Sequence, residues 1–112
     1  RATMSGALTA RRYEAAMSHL TLVSPSARPL QPMVESALRN EFGLVTAGLR
    51  RTEERVRELE QRHGMSTQEF LRRHETGELT ETLESVEWVG EYRLLQRLRE
   101  KAETLQEIRF ED

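Results

Sequence analysis

The sequence contains no cysteine, which excludes disulfide bonds and thiolate metal sites and suits a reducing cytoplasm. Only 5% of the residues are aromatic and 37% are hydrophobic, so the chain predicts a thin core that an oligomer would complete. No apolar run approaches the roughly twenty residues that span a bilayer, and no signal peptide is recognisable. We therefore expect one cytoplasmic domain without a membrane anchor.

The sequence also lacks the usual patterns of catalytic, metal and phosphate-binding sites. The histidines lie on three different predicted elements and form no H-x-x-x-H pair, and the six glycines form no phosphate loop. We therefore predict no enzyme, no metal site and no cofactor.

One pattern in the sequence is typical of an enzyme site. Glu84-x-x-Glu87 and Glu100-x-x-Glu103 resemble the pairs with which all-α nucleotide pyrophosphohydrolases bind Mg²⁺. Both pairs lie on one predicted helix, about 24 Å apart along its axis, and so cannot share an ion within one chain.

A single long amphipathic helix from Gln31 to Gly64 organises the sequence. Its apolar residues recur at spacings of three, four and seven, which places them on one side of the helix, with Thr52 filling a gap. We call these residues the apolar stripe: Val34, Leu38, Phe42, Val45, Leu49, Val56 and Leu59. A helix about 45 Å long needs a neighbour along such a stripe, either a return helix, a second copy of the chain, or both. We predict that the stripe forms the interface of a homodimer.

Two further helices follow a stop at Gly64. Ser66 as N-cap and Glu69 three residues later predict a capping box, and Met65 and Phe70 are placed to form a hydrophobic staple. The two predicted helices are Thr67–Glu75 and Leu83–Glu107.

The sequence thus predicts an all-α fold: a long antiparallel helical hairpin with a short intervening helix, dimerising into a bundle. Residues 1–18 are predicted to be a flexible tail. Residues 19–30 combine a short β-prone, extended run, HLTLV, with a proline-rich connector, and residues 31–112 form the helical domain.

Acidic residues dominate the C-terminal half, where residues 63–112 contain twelve acids and seven bases. Glu87, Trp88, Glu91 and Tyr92 lie together on the last helix. One interpretation is that the glutamates are solvated at the edge of the bundle. The other is that these four residues form a partner-binding patch, because aromatic residues flanked by charges are frequent anchors of interfaces.

Arginines mark the opposite side of the long helix. Arg39, Arg50 and Arg57 project together, away from the apolar stripe. They form either a solvated face, interspersed with glutamates, or a weak contact surface for nucleic-acid phosphates.

The segment from Glu58 to the end resembles a group of small prokaryotic helical proteins. They share a G-M-S-x-x-E-F core, then G-E-L and E-W-x-x-x-Y, and are found as antitoxin-like partners in toxin–antitoxin modules or beside nucleases. The resemblance covers roughly residues 40–112 and includes Gly64, Met65, Ser66, Glu69, Phe70, Gly77, Glu78, Leu79, Glu87, Trp88 and Tyr92.

The resemblance implies a non-enzymatic protein that covers a partner nuclease. The first helix is far longer than a ribbon-helix-helix motif allows, so the DNA-binding half of an ordinary antitoxin is not recognisable. A self-assembling helical scaffold and a DNA-binding regulator are the alternatives.

Overall fold

A computed structural model describes residues 17–111 of the chain, which contain three helices and no strand. The helices are α1 (Gln31–His63), α2 (Thr67–Glu75) and α3 (Leu83–Glu107). The prediction of an all-α hairpin with a short intervening helix is confirmed. Most of the tail predicted for residues 1–18 lies outside the described residues.

Helix α1 ends where the sequence predicts, at a glycine. Gly64 has φ +62°, a left-handed conformation that other residues adopt only with strain. The Met65 N–H donates to the Glu60 carbonyl at 3.2 Å, which is the long hydrogen bond of a Schellman motif. The chain therefore turns sharply into α2.

The start of α2 confirms the predicted N-cap but not the full capping box. The Glu69 N–H donates to Ser66 Oγ at 3.1 Å, as expected. The Glu69 carboxylate does not return to the N-cap; it pairs instead with Arg72 and Arg73, both at 2.8 Å. Two arginines one turn further along α2 offer a stronger, charge-assisted interaction than the neutral N–H does.

Helix α3 begins with a capping box that was not predicted from the sequence. The Ser85 N–H donates to Thr82 Oγ1 at 3.0 Å, and the Thr82 N–H donates to Ser85 Oγ at 2.8 Å. Serine replaces the usual glutamate or glutamine at the third helical position and makes the same reciprocal contact.

Helices α1 and α3 pack as an antiparallel pair. Ion pairs cross between them along their length: Arg62 with Glu84, Arg55 with Glu87, and Lys101 with Glu41. Near the middle, a Cβ atom on Gly48 would lie 3.4 Å from Leu98 Cδ1, so the missing side chain allows the two helices to approach.

Burial is uneven along the hairpin. The fully buried apolar side chains are Val45, Val56, Leu59, Phe70, Trp88 and Leu95. No residue of α1 before Val45, and none of α3 after Leu95, is fully buried. We call the part near the connecting helix α2 the closed end, and residues 31–44 with 98–111 the open end.

Residues 17–30 form a separate unit without helix or strand. The run HLTLV at 19–23 was predicted to be extended and able to pair as a strand; among the described residues it has no strand to pair with. The following segment is held by local hydrogen bonds from the Ser26 N–H to Ser24 Oγ and from the Arg28 N–H to Ser26 Oγ.

Candidate functional site

Trp88 is a core residue rather than the centre of an exposed patch. Its side chain is 1% exposed, and its ring stacks on Phe70 with the ring centroids 4.0 Å apart and the planes 3° apart. The indole N–H donates to Thr67 Oγ1 at 3.0 Å. The indole is therefore not accessible to a partner in this fold, because α2 covers it within the same chain.

A short polar network holds Trp88 in place. Thr67 Oγ1 accepts from the indole and donates to the Glu60 carboxylate at 2.9 Å. The Thr67 backbone N–H donates to the same carboxylate oxygen at 2.8 Å. No buried side-chain nitrogen or oxygen among the described residues lacks a hydrogen-bond partner, so the hydrogen bonds at this junction of α1, α2 and α3 offset the cost of burying its polar groups.

His63 and Glu84 are hydrogen-bonded to each other beside Trp88 at the closed end. The His63 ring stacks on Trp88 with centroids 5.3 Å apart, and its Nε2 is hydrogen-bonded to the Glu84 carboxylate. That hydrogen bond, followed by the one from Arg62, holds the pKa of Glu84 below its usual value. Glu84 is therefore an ion-pair partner of α1 and not a free surface acid.

The other predicted partner-binding residues are divided between two environments. Two N–H groups of Arg55 donate to one oxygen of Glu87, at 2.7 and 2.8 Å, so Glu87 is part of the hairpin. Glu91 and Tyr92 are half-buried, and Glu91 forms no ion pair with any described residue. The four residues predicted as a patch therefore do not form one exposed surface.

The apolar stripe is covered mainly by α3 of the same chain. Val45 is 4% exposed, and Val56 and Leu59 are also buried. These three residues are therefore covered within one chain and are not exposed to a second copy. The remaining members, Val34, Leu38, Phe42 and Leu49, are half-buried.

An apolar groove lies at the open end. Leu38 and Phe42 of α1 line it together with Leu105, Ile108 and Phe110 from the end of the chain, and its volume is about 410 Å³. Ile108 is 43% exposed and Phe110 is 40% exposed. The polar residues that line the groove are Glu35, Arg39 and Gln106.

The open-end groove was missed because its residues come from two separate elements. The alternating Ile108 and Phe110 predict only an extended tail when they are considered alone. The available signal is their position: an antiparallel hairpin brings residues after α3 beside the start of α1. Two exposed apolar residues at that position indicate a surface rather than a simple chain end.

The three predicted nucleic-acid contacts lie on the surface of α1. Arg39, Arg50 and Arg57 are exposed, and none forms an ion pair with another described residue. Glu53, which is half-buried, and Glu54, which is exposed, lie between them in the sequence.

Within residues 17–111, no group of three His, Cys, Asp or Glu side chains is arranged to hold a metal ion. None of the described helices is long and apolar enough to cross a membrane.

The fold and the site together define a helical hairpin with a buried core at its closed end and an accessible apolar groove at its open end. No protein-family model, curated protein or solved structure matches the chain.

Proposed function

We propose that this chain is a non-enzymatic protein-binding module, the antitoxin-like component of a toxin–antitoxin pair, and that it holds its partner nuclease at the open-end groove. The observation that carries the proposal is the contrast between the two ends of the hairpin. At the closed end Leu59, Phe70 and Trp88 form a buried core, although Leu83 and Val86 are exposed on its surface. At the open end Ile108 and Phe110 line an accessible apolar groove. A concave apolar surface with a polar edge suits an inserted apolar side chain of a partner.

The charges near the groove indicate the chemistry of that partner. Glu103 and Glu107, on the last turns of α3, are exposed and form no ion pair with a described residue. Glu35 lies at the edge of the groove, where Arg39 is the basic residue. The surface of a nuclease that binds phosphates is basic, so an excess of carboxylates around an apolar contact would complement it and compete with RNA or DNA.

The proposal can be tested by co-expressing the chain with the product of its neighbouring gene. We expect the double variant Ile108→Ser, Phe110→Ser to bind the partner about tenfold or more weakly, because it loses two apolar contacts but no buried core. Val86→Ser is the matched control, because Val86 is 53% exposed at the other end of the hairpin. Calorimetry gives the affinity, and cleavage of RNA by the partner reports inhibition.

Unchanged affinity and inhibition in the double variant would contradict the proposal. A neighbouring gene product that neither binds the chain nor cleaves nucleic acid would favour the alternative, a self-assembling helical scaffold.

A DNA-binding regulator is a second candidate, supported by the exposed Arg39, Arg50 and Arg57, which form no ion pairs with described residues. Phosphate contacts through these arginines predict an affinity that falls steeply with salt. Gel shifts at low salt, repeated with all three arginines changed to Gln, test this; no shift for the unaltered chain would exclude it.

A further inference from the structure

One lateral face of the α1–α3 pair, from the open end to the middle of the hairpin, remains apolar although the two helices pack together. At about 100° per residue, Leu44 lies on the same side of α1 as Gly48, and Leu94 lies on the same side of α3 as Leu98. A Cβ on Gly48 would lie 3.4 Å from Leu98 Cδ1, so these two sides adjoin where α1 approaches α3 and form one continuous face. Leu44 is 63% exposed on this face, and Leu94 and Leu98 are half-buried. Ala37 and Met33, which are exposed, lie seven and eleven residues before Leu44 and so on the same side of α1.

We propose that this lateral face, made of Met33, Ala37, Leu44, Leu94 and Leu98, is where two copies of the chain join as a four-helix dimer. The proposal differs from a dimer along the apolar stripe, whose central residues α3 already covers. It is also separate from the open-end groove, which lies at the tip of the hairpin and uses different residues.

The charges on the face indicate that its occupant is a second copy. Glu41 and Lys101 lie on it and neutralise each other at 2.8 Å. Arg51 follows Glu41 by ten residues and Glu91 precedes Lys101 by ten, so in this antiparallel pair they lie at one level. Neither Arg51 nor Glu91 forms an ion pair with a described residue.

These positions make the face complementary to itself under one arrangement. A two-fold axis parallel to the helices places α1 of one copy over α3 of the other, at the same level. Arg51 of each copy then meets Glu91 of the other, and Glu41 meets Lys101 in the same way. Leu44 meets Leu94 and Leu98, so the contact combines an apolar centre with paired charges, as interfaces do.

The test uses the purified chain alone and compares two charge reversals, Arg51→Glu and Glu91→Arg. Each variant alone places two like-charged pairs in its homodimer, so we expect dimer dissociation constants about tenfold higher than that of the unaltered chain. An equimolar mixture of the two variants restores both opposite-charge pairs in the heterodimer. Because each chain keeps its own like charges, a rescue cannot come from contacts within one chain.

Analytical ultracentrifugation measures the dissociation constants, and native mass spectrometry distinguishes the heterodimer from the homodimers. Arg93→Glu is the matched control, since Arg93 is exposed on the outer side of α3 and forms no ion pair with a described residue. We expect it to leave the dimer unchanged and to gain nothing from mixing with Glu91→Arg.

A second variant tests the apolar centre. Leu44→Glu should give a helical monomer at concentrations where the unaltered chain is a dimer, while Val86→Glu remains dimeric. The proposal is overturned if the unaltered chain is a monomer at all measured concentrations, if the mixture shows no heterodimer rescue, or if Leu44→Glu remains dimeric.

Discussion

The indole N–H of Trp88 is hydrogen-bonded to Thr67 Oγ1 at 3.0 Å, and both side chains are buried. This contact joins the first residue of α2 to α3. Because Thr67 is also bonded to Glu60 of α1, one hydroxyl group connects all three helices. The segment that contains Phe70 and Trp88 therefore encodes the packing of the closed end.

Replacing Trp88 should destabilise the fold strongly. We expect Trp88→Ala to lower the free energy of unfolding by about 3–5 kcal/mol, because it removes a buried ring and leaves a cavity. Urea denaturation followed by circular dichroism measures the change. The matched control is Tyr92→Ala, one turn further along α3 and only half-buried, which should lose less. A Trp88→Ala variant as stable as the unaltered chain would show that the ring is not part of the core.

The Glu60 carboxylate should contribute through its hydrogen bonds. Glu60→Ala leaves the Thr67 N–H and hydroxyl without their acceptor, so we expect a loss of about 1–3 kcal/mol in the free energy of unfolding. Glu60→Gln, which keeps an acceptor oxygen, should lose less. The matched control is Glu54→Ala, an exposed glutamate of the same helix, which should change stability little. Equal effects of Glu60→Ala and Glu54→Ala would contradict the network.

The helix bounds could be predicted because they depend on local chemistry. Gly64 stops α1 through its own backbone conformation, and Ser66 caps α2 with its own hydroxyl group. Neither interaction depends on the rest of the fold. The Thr82–Ser85 capping box is equally local and was missed only because serine stands where glutamate is usual.

The surfaces could not be predicted in the same way. Helical periodicity places Trp88 on the same side of α3 as Leu95, but whether that side is covered depends on the direction in which the chain leaves Gly64. The turn directs α2 over Trp88, so Phe70 stacks on it and the indole is buried. The composition of the segment around Glu87 and Tyr92 carries no information about that direction.

The stability of the chain should depend on pH through Glu69. Hydrogen bonds from Arg72 and then Arg73 lower the pKa of Glu69 to about 2, compared with an ordinary value of 4.5. A depressed folded-state pKa gives a contribution that is complete above the unfolded-state pKa and is lost as the pH falls from about 4.5 through about 2. We expect Glu69→Gln to lose less stability over this range than the unaltered chain does. NMR titration of the Glu69 carboxyl group checks the pKa, and a midpoint near the ordinary value would contradict it.

Glycine substitutions should separate the turns from the helix interiors. Gly64→Ala and Gly77→Ala place a Cβ at φ +62° and +75°, so each should lower the free energy of unfolding by about 1–2 kcal/mol. Gly90→Ala is the matched control, because Gly90 lies inside α3 and an added Cβ would contact nothing within 4 Å beyond its own stretch of the helix. There we expect a gain of about 0.5–1 kcal/mol from reduced backbone freedom. Thermal unfolding measures all three; a gain at Gly64 would contradict the left-handed turn.

The concentration of buried side chains between Val45 and Leu95 has a dynamic consequence. Backbone amides at the tip formed by residues 31–38 and 105–107 should exchange with solvent before those near Leu59, because few packed contacts resist local opening there. The open-end groove thus lies on the part of the molecule that loosens first. Whatever occupies the groove will slow that opening and extend the lifetime of the folded chain against proteolysis.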